Sequence, residues 1–142
     1  MLSHGIIVLS NDKRKIAKFI ENGTVYKAIN NKSKNVIRYQ IDCSAMSCSV
    51  QRCDNALEIV DENNLYFIEL KGMDIKKAAA QILSTISHFV SDLTNTKLFG
   101  RIICSRVPRP DLRSTQIVSL ERKLAASGGN LIKASQILEE TI

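Results

Sequence analysis

Asp54, Glu69 and Lys71 are the residues of this chain whose types and spacing could do chemistry. Two carboxylates offer hard oxygen ligands to a divalent cation, and an ammonium beside them can stabilise charge on a phosphodiester under attack. Glu69 and Lys71 belong to Leu65-Tyr66-Phe67-Ile68-Glu69-Leu70-Lys71-Gly72, which reads as a buried β-strand. Side chains alternate across a strand, so both charges leave on the face that also carries Leu65 and Phe67. Unpaired charge is costly to bury, so the pair on an apolar strand implies a use.

A hairpin brings Asp54 to them. Asp54 to Val60 and Leu65 to Lys71 read as strands joined by Asp61-Glu62-Asn63-Asn64. With those four residues as the loop, Val60 pairs with Leu65, Asp54 faces Lys71, Ala56 faces Glu69 and Glu58 faces Phe67. Asp54 and Glu69 are then diagonal neighbours with Cβ atoms somewhat under about 7–8 Å apart, a gap that a metal can bridge. A slip of one residue would send Asp54 to the opposite face. Glu58 shares the Asp54 face further along and is a minor ligand candidate.

The surrounding pattern predicts the elements that hold the hairpin. Asp12 to Glu21 reads as a short amphipathic helix stopped by Asn22-Gly23, and Val25 to Asn30 as a strand or a helix extension. Asn30 to Asn35 is a polar turn, and Val36 to Cys43 a strand. Asp74 can cap a helix from Ile75 to about Val90, whose apolar stripe is Ile75, Ala79, Ile82, Leu83, Ile86, Phe89 and Val90. The polar stripe carries Lys77, Gln81, Thr85 and His88. A strand follows over Lys97 to Ser105, then a helix from about Ser114 to Ala126 capped by Gly128-Gly129. Asn130 to Ser135 is a short strand or loop, and the tail is weakly helical. The fold class is α/β (α+β): one mixed sheet with helices packed on it, in a single domain with a core of about 12–105 and a C-terminal helical extension of about 111–142.

An Asp, a Glu-x-Lys on the next strand and a following helix that bears Gln resembles the PD-(D/E)XK nuclease superfamily. The resemblance implies a restriction-endonuclease-like α-β-β-β-α-β core and a Mg²⁺-dependent nuclease, with Mn²⁺ as a substitute metal. It maps the first acid onto Asp54, the Glu-x-Lys element onto Glu69-Leu70-Lys71, and the helix glutamine onto Gln81. Asp54 and Glu69 would bind the metal with the Leu70 carbonyl as a backbone ligand, and Lys71 would orient a water or stabilise developing charge. Glu21 would be a further carboxylate from the first helix. Cys53 stands where the family has proline, and Thr85 where one branch has tyrosine.

Charge is distributed to suit that chemistry. Residues 1–40 hold eight basic side chains against two acidic, residues 41–75 two against seven, and residues 76–142 ten against five. An acidic centre between basic flanks suits a cation site on a polyanion-binding surface. Lys13, Arg14, Lys18, Lys32, Lys34, Arg106, Arg109 and Arg113 are the candidate phosphate contacts. With 5% aromatic residues and no Trp, a base-stacking single-strand platform is disfavoured, leaving duplex or branched DNA as the partner. Cutting both strands with a domain of this size would favour a homodimer, although no interface is legible.

No apolar run approaches the ~20 residues of a membrane span. Met1 to Ser10 lacks a basic n-region, so the expected location is cytoplasmic and the thiols reduced. Cys43, Cys48, Cys53 and Cys104 lack the spacing of a zinc knuckle, yet a cysteine-ligated zinc or iron–sulfur domain is one alternative. A catalytically inactive nucleic-acid-binding or scaffolding subunit of the same fold is another. His4 and His88 have no evident Ser or Cys partner for nucleophilic catalysis.

Overall fold

Asn22-Gly23 turns the chain back on itself: both residues have positive φ, 47° and 81°, as a tight two-residue hairpin requires. The computed structural model describes residues 2, 5–41, 54–70, 74–106 and 114–142. The turn joins β2 (Ile16–Glu21) to β3 (Thr24–Ile29), with Glu21 opposite Thr24. The helix expected over Asp12 to Glu21 is therefore a strand. Its apolar residues suit either period, but burial alternates: Ala17 and Phe19 are buried while Ile16, Lys18 and Ile20 are exposed. Asn-Gly is a stronger hairpin signal than a helix stop, and it decides the outcome.

The other strands are β1 (Ile6–Asp12), β4 (Val36–Ile41), β5 (Asn55–Ile59), β6 (Asn64–Glu69), β7 (Lys97–Cys104), β8 (Leu131–Ser135) and β9 (Ile137–Thr141). Two helices, α1 (Ile75–His88) and α2 (Thr115–Ser127), complete the described elements. A six-stranded sheet runs β1-β4-β5-β6-β7-β8, antiparallel up to β6 and parallel from β6 to β8. A smaller sheet runs β2-β3-β9, with β3 and β9 parallel. The weakly helical tail is thus strand β9, and the extension beyond residue 111 contributes one helix and one strand to each sheet.

Three layers result, with the large sheet in the middle. One face carries Ile37, Tyr39, Ala56 and Phe67 and packs against Ile75, Ala79, Ile82, Ile86, Ile117, Leu120 and Leu124 of the two helices. The other carries Val36, Leu57, Ile59, Tyr66, Ile68 and Ile103 and packs against Ala17, Phe19, Tyr26 and Ala28 of the small sheet. β6 is covered on both faces, and every residue from Asn64 to Glu69 is buried, as the sequence of this strand predicts.

Both helix starts are capped, α1 by the expected Asp74 and α2 by Ser114, which precedes the helix instead of opening it. The Asp74 carboxylate accepts from Lys77 N at 3.2 Å, and the Ser114 hydroxyl oxygen from Ile117 N at 3.2 Å. Gly128, at φ 97°, ends α2, its N–H reaching the Ala125 carbonyl at 3.0 Å. Helix α1 ends earlier than its stripe: Phe89 is buried but Val90 is exposed. Thr85, expected on the polar face, is buried and donates its hydroxyl to the Gln81 carbonyl at 2.7 Å. Among the described residues, no helix is long and apolar enough to cross a membrane.

Candidate active site

The hairpin register decides where the acids go. Ile59 pairs with Asn64 and Asn55 with Ile68, because Val60–Glu62 forms a short 3₁₀ turn closed by Asn63 at φ 54°. The register therefore differs by two residues from the one expected, in which Val60 faced Leu65. A two-residue shift preserves side-chain parity. Ala56 and Phe67 pair on the face toward the helices, so Asp54 and Glu69 stay on that face too. Extending the ladder by one step sets Asp54 directly across from Glu69 instead of from Lys71. Directly opposite residues have Cβ atoms about 4.5–5.5 Å apart, closer than the diagonal arrangement. Asp54 is held at the strand entrance by the hydrogen bond from Ile41 N to its carbonyl, 2.9 Å. Lys71 lies outside the described residues.

Burial separates the two carboxylates. Glu69 is 0% exposed, on a strand hydrogen-bonded on both sides, with Ile102 of β7 beside it. Both of its carboxylate oxygens and Asp54 Oδ2 are shielded from solvent. Taking carboxylates out of water is expensive, so such a pair requires compensating positive charge or hydrogen bonding. Asp54 is only half-buried and opens onto a cavity of about 330 Å³ lined by Ile20, Glu21, Gln40, Ile41, Asp54 and Asn55.

The small sheet shapes this cavity. The β2–β3 hairpin delivers Glu21 to the wall from a strand, not from the helix that the resemblance implied. Thr24, just past the turn, is buried, and its single hydroxyl proton is shared between the Glu21 carbonyl, at 2.6 Å, and the Leu70 carbonyl. Leu70 O, expected as a backbone metal ligand, thus accepts a hydrogen bond that ties the two sheets together. Gln40 and Asn55 went unnoticed in the sequence. They face each other across β4 and β5, and only the strand register brings them to the cavity.

The remaining candidates fall into two groups. Gln81 is half-buried at the margin of the apolar stripe of α1. Arg106 follows the end of β7 that carries Ile102 and is exposed, at the same end of the sheet as Glu69. By contrast, Lys13 and Arg14 follow Asp12, which pairs with Val36, and Lys32 and Lys34 precede Val36, which pairs with Ile59. These four lie at the opposite end of the sheet from Asp54. Two of them are engaged there, Arg14 with Asp12 at 2.7 Å and Lys34 with Glu62 at 2.6 Å. Lys18 stands on the outer face of the small sheet. Arg109 and Arg113 lie outside the described residues.

Glu58 is placed away from the cavity, accepting the Tyr39 hydroxyl at 2.8 Å, and lines a separate cavity of about 150 Å³ with Asn63 and Asp92. Cys104 is buried, and burial pushes its thiol pKa up. Cys43, Cys48, Cys53 and His4 lie outside the described residues; His88 is exposed, edge-on to Phe89 at 4.7 Å.

The acids fit a divalent cation in kind, offering hard oxygens suited to Mg²⁺ over zinc. In number they fall short: among the described residues, no three His, Cys, Asp or Glu side chains converge as a metal-holding group. Comparison with protein-family models, with curated proteins and with solved structures finds no match for this chain.

Proposed function

We propose that the chain is a Mg²⁺-dependent nuclease acting on duplex or branched DNA, with its centre at Asp54 and Glu69. The observation that carries this reading is the shared parity of the two carboxylates across adjacent strands, at the end of the sheet where Asp54 borders a polar cavity. Asp54, half-buried at the rim, and Glu69, behind it, would hold the cation, with water in the remaining positions. A bound Mg²⁺ would supply Lewis acidity to the phosphodiester and acidify a water. Lys71, two residues beyond Glu69 in sequence, would supply an ammonium where charge develops on the phosphoryl oxygens. Arg106 would contact the backbone phosphate at the same end of the sheet. Hydrolysis by water breaks the P–O bond and leaves a phosphate and a hydroxyl.

The test is incubation with linear, supercoiled, single-stranded and four-way DNA, in Mg²⁺ or EDTA. Wild type should cut at least one substrate only with the metal. Asp54→Asn and Lys71→Ala should lose on the order of 100-fold or more, the scale of removing one preorganised electrostatic group. Absence of cleavage in both Mg²⁺ and Mn²⁺, or variants that cut as well as wild type, would refute the assignment. Metal-independent DNA binding that survives Asp54→Asn would identify a non-catalytic nucleic-acid-binding subunit instead.

A further inference from the structure

The outer face of the small sheet is apolar where a solvent-facing sheet would be polar. Cross-strand pairing arranges it in three rows across β2, β3 and β9: Ile20, Val25 and Ile137; Lys18, Lys27 and Glu139; Ile16, Ile29 and Thr141. Ile20 is 60% exposed, Ile137 59% and Ile16 47%, while Val25 and Ile29 are half-buried. Five aliphatic side chains thus flank a single charged row. Exposed aliphatic side chains gathered on one sheet face around a charged row suit an interaction site.

We infer that this face is a self-association surface on which a second copy of the chain docks about a two-fold axis running along β3. The charge order carries the choice of occupant. Read from β2 to β9, the middle row is positive, positive, negative. A two-fold axis along the strands sets β2 of one copy over β9 of the other and keeps each row in register. Lys18 of each copy then meets Glu139 of its partner, Ile20 meets Ile137, and Val25 and Ile29 meet their own counterparts. An axis across the strands would instead set Lys18 on Lys18. A polyanion would meet Glu139 beside Lys27, which disfavours it. Two sheet faces pack at a spacing of about 10 Å.

Size sets the strength. Three strands of this length cover roughly 14 by 18 Å, well short of the roughly 800 Å² per partner of a standard stable interface. Lys27 also faces its own counterpart at the axis. The dimer is therefore a weak and reversible one, populated toward the upper end of protein concentration. The inference stands independently of the nuclease reading.

Sedimentation velocity on the full chain, from micromolar to millimolar concentration, tests it. Wild type should pass from monomer to dimer. Lys18→Glu and Glu139→Lys should each weaken association by roughly tenfold or more, since each leaves like charges facing across the axis. An equimolar mixture of the two variants should recover a dimer, because the swapped charges complement one another between copies. Circular dichroism checks that both variants keep the wild-type fold, and Ile137→Glu provides a second disruption on the same face. A wild type that stays monomeric at millimolar concentration, grows beyond a dimer, or is matched by the single variants would overturn the proposal. So would a mixture that remains monomeric.

Discussion

Asp12 and Arg14 show how local a charge effect can be. The Arg14 guanidinium donates from Nε at 2.8 Å and Nη2 at 2.7 Å, and this hydrogen bonding holds the Asp12 carboxyl down at about 2. A depressed carboxyl stabilises the fold above its unfolded pKa of 3.8 and loses that contribution as pH falls through the folded value. Asp12→Asn should therefore lower the melting temperature slightly at pH 5 and above. The difference from wild type should close between about pH 4 and pH 2 in melting curves taken across that range. A difference that widens on acidification would contradict the pairing. The same residue scale decides what the sequence could disclose of the site. Alternation fixes faces within each strand, and the expected four-residue loop has the same parity as the observed turn, so Asp54 and Glu69 could be assigned to one face even though the register differs by two residues. Their separation was not legible, because it depends on Val60 leaving the ladder for a 3₁₀ turn.

At the scale of elements, two glycines with different duties make a contrast. Gly23 has open space around its Cα, so Gly23→Ala would suffer only from the positive φ, at roughly 1–2 kcal/mol. Gly129 has no such conformational demand, but a Cβ there would sit 1.7 Å from the Leu98 carbonyl oxygen, inside rigid backbone at the β7–β8 seam. Gly129→Ala should cost more than about 4 kcal/mol or prevent folding, measured by urea denaturation beside Gly23→Ala. Equal losses would show that the seam yields. The strands over Leu65 to Glu69 and Lys97 to Cys104 and both capped helices were legible because long apolar patterns and caps agree. β2 and β9 were not. Ile16 to Ile20 satisfies both periods, and Glu139-Glu140 is a good helix former that becomes a strand only by pairing with β3.

For the whole molecule, a second tie between the sheets is a largely buried ion pair. Arg101 of β7, 3% exposed, donates to Glu140 of β9 at 2.7 Å and to Asn130 Oδ1 at 2.8 Å. Tyr26 donates its hydroxyl to the same Glu140 carboxylate at 2.8 Å, and the guanidinium lies 5.1 Å from the Tyr66 ring centre. Burial, followed by the Glu140 charge, pushes the Tyr66 phenol up to about 12. Arg101→Met should cost about 3 kcal/mol in urea denaturation by leaving a carboxylate without its cation. Adding Glu140→Gln should return most of that loss, since a neutral amide still accepts from Tyr26. If the double variant is no more stable than the single, the loss is one of packing and not of charge. The strand that carries Glu140 also has a consequence in time. β2 and β3 are local in sequence and can close within microseconds, whereas β9 must reach β3 across nearly the whole chain. Loop closure on that scale precedes any contact that rewards it, so refolding should be slow for a domain of this size. Until β9 arrives, the free edge of β3 stays open to pairing with other chains, and aggregation during refolding should rise with protein concentration.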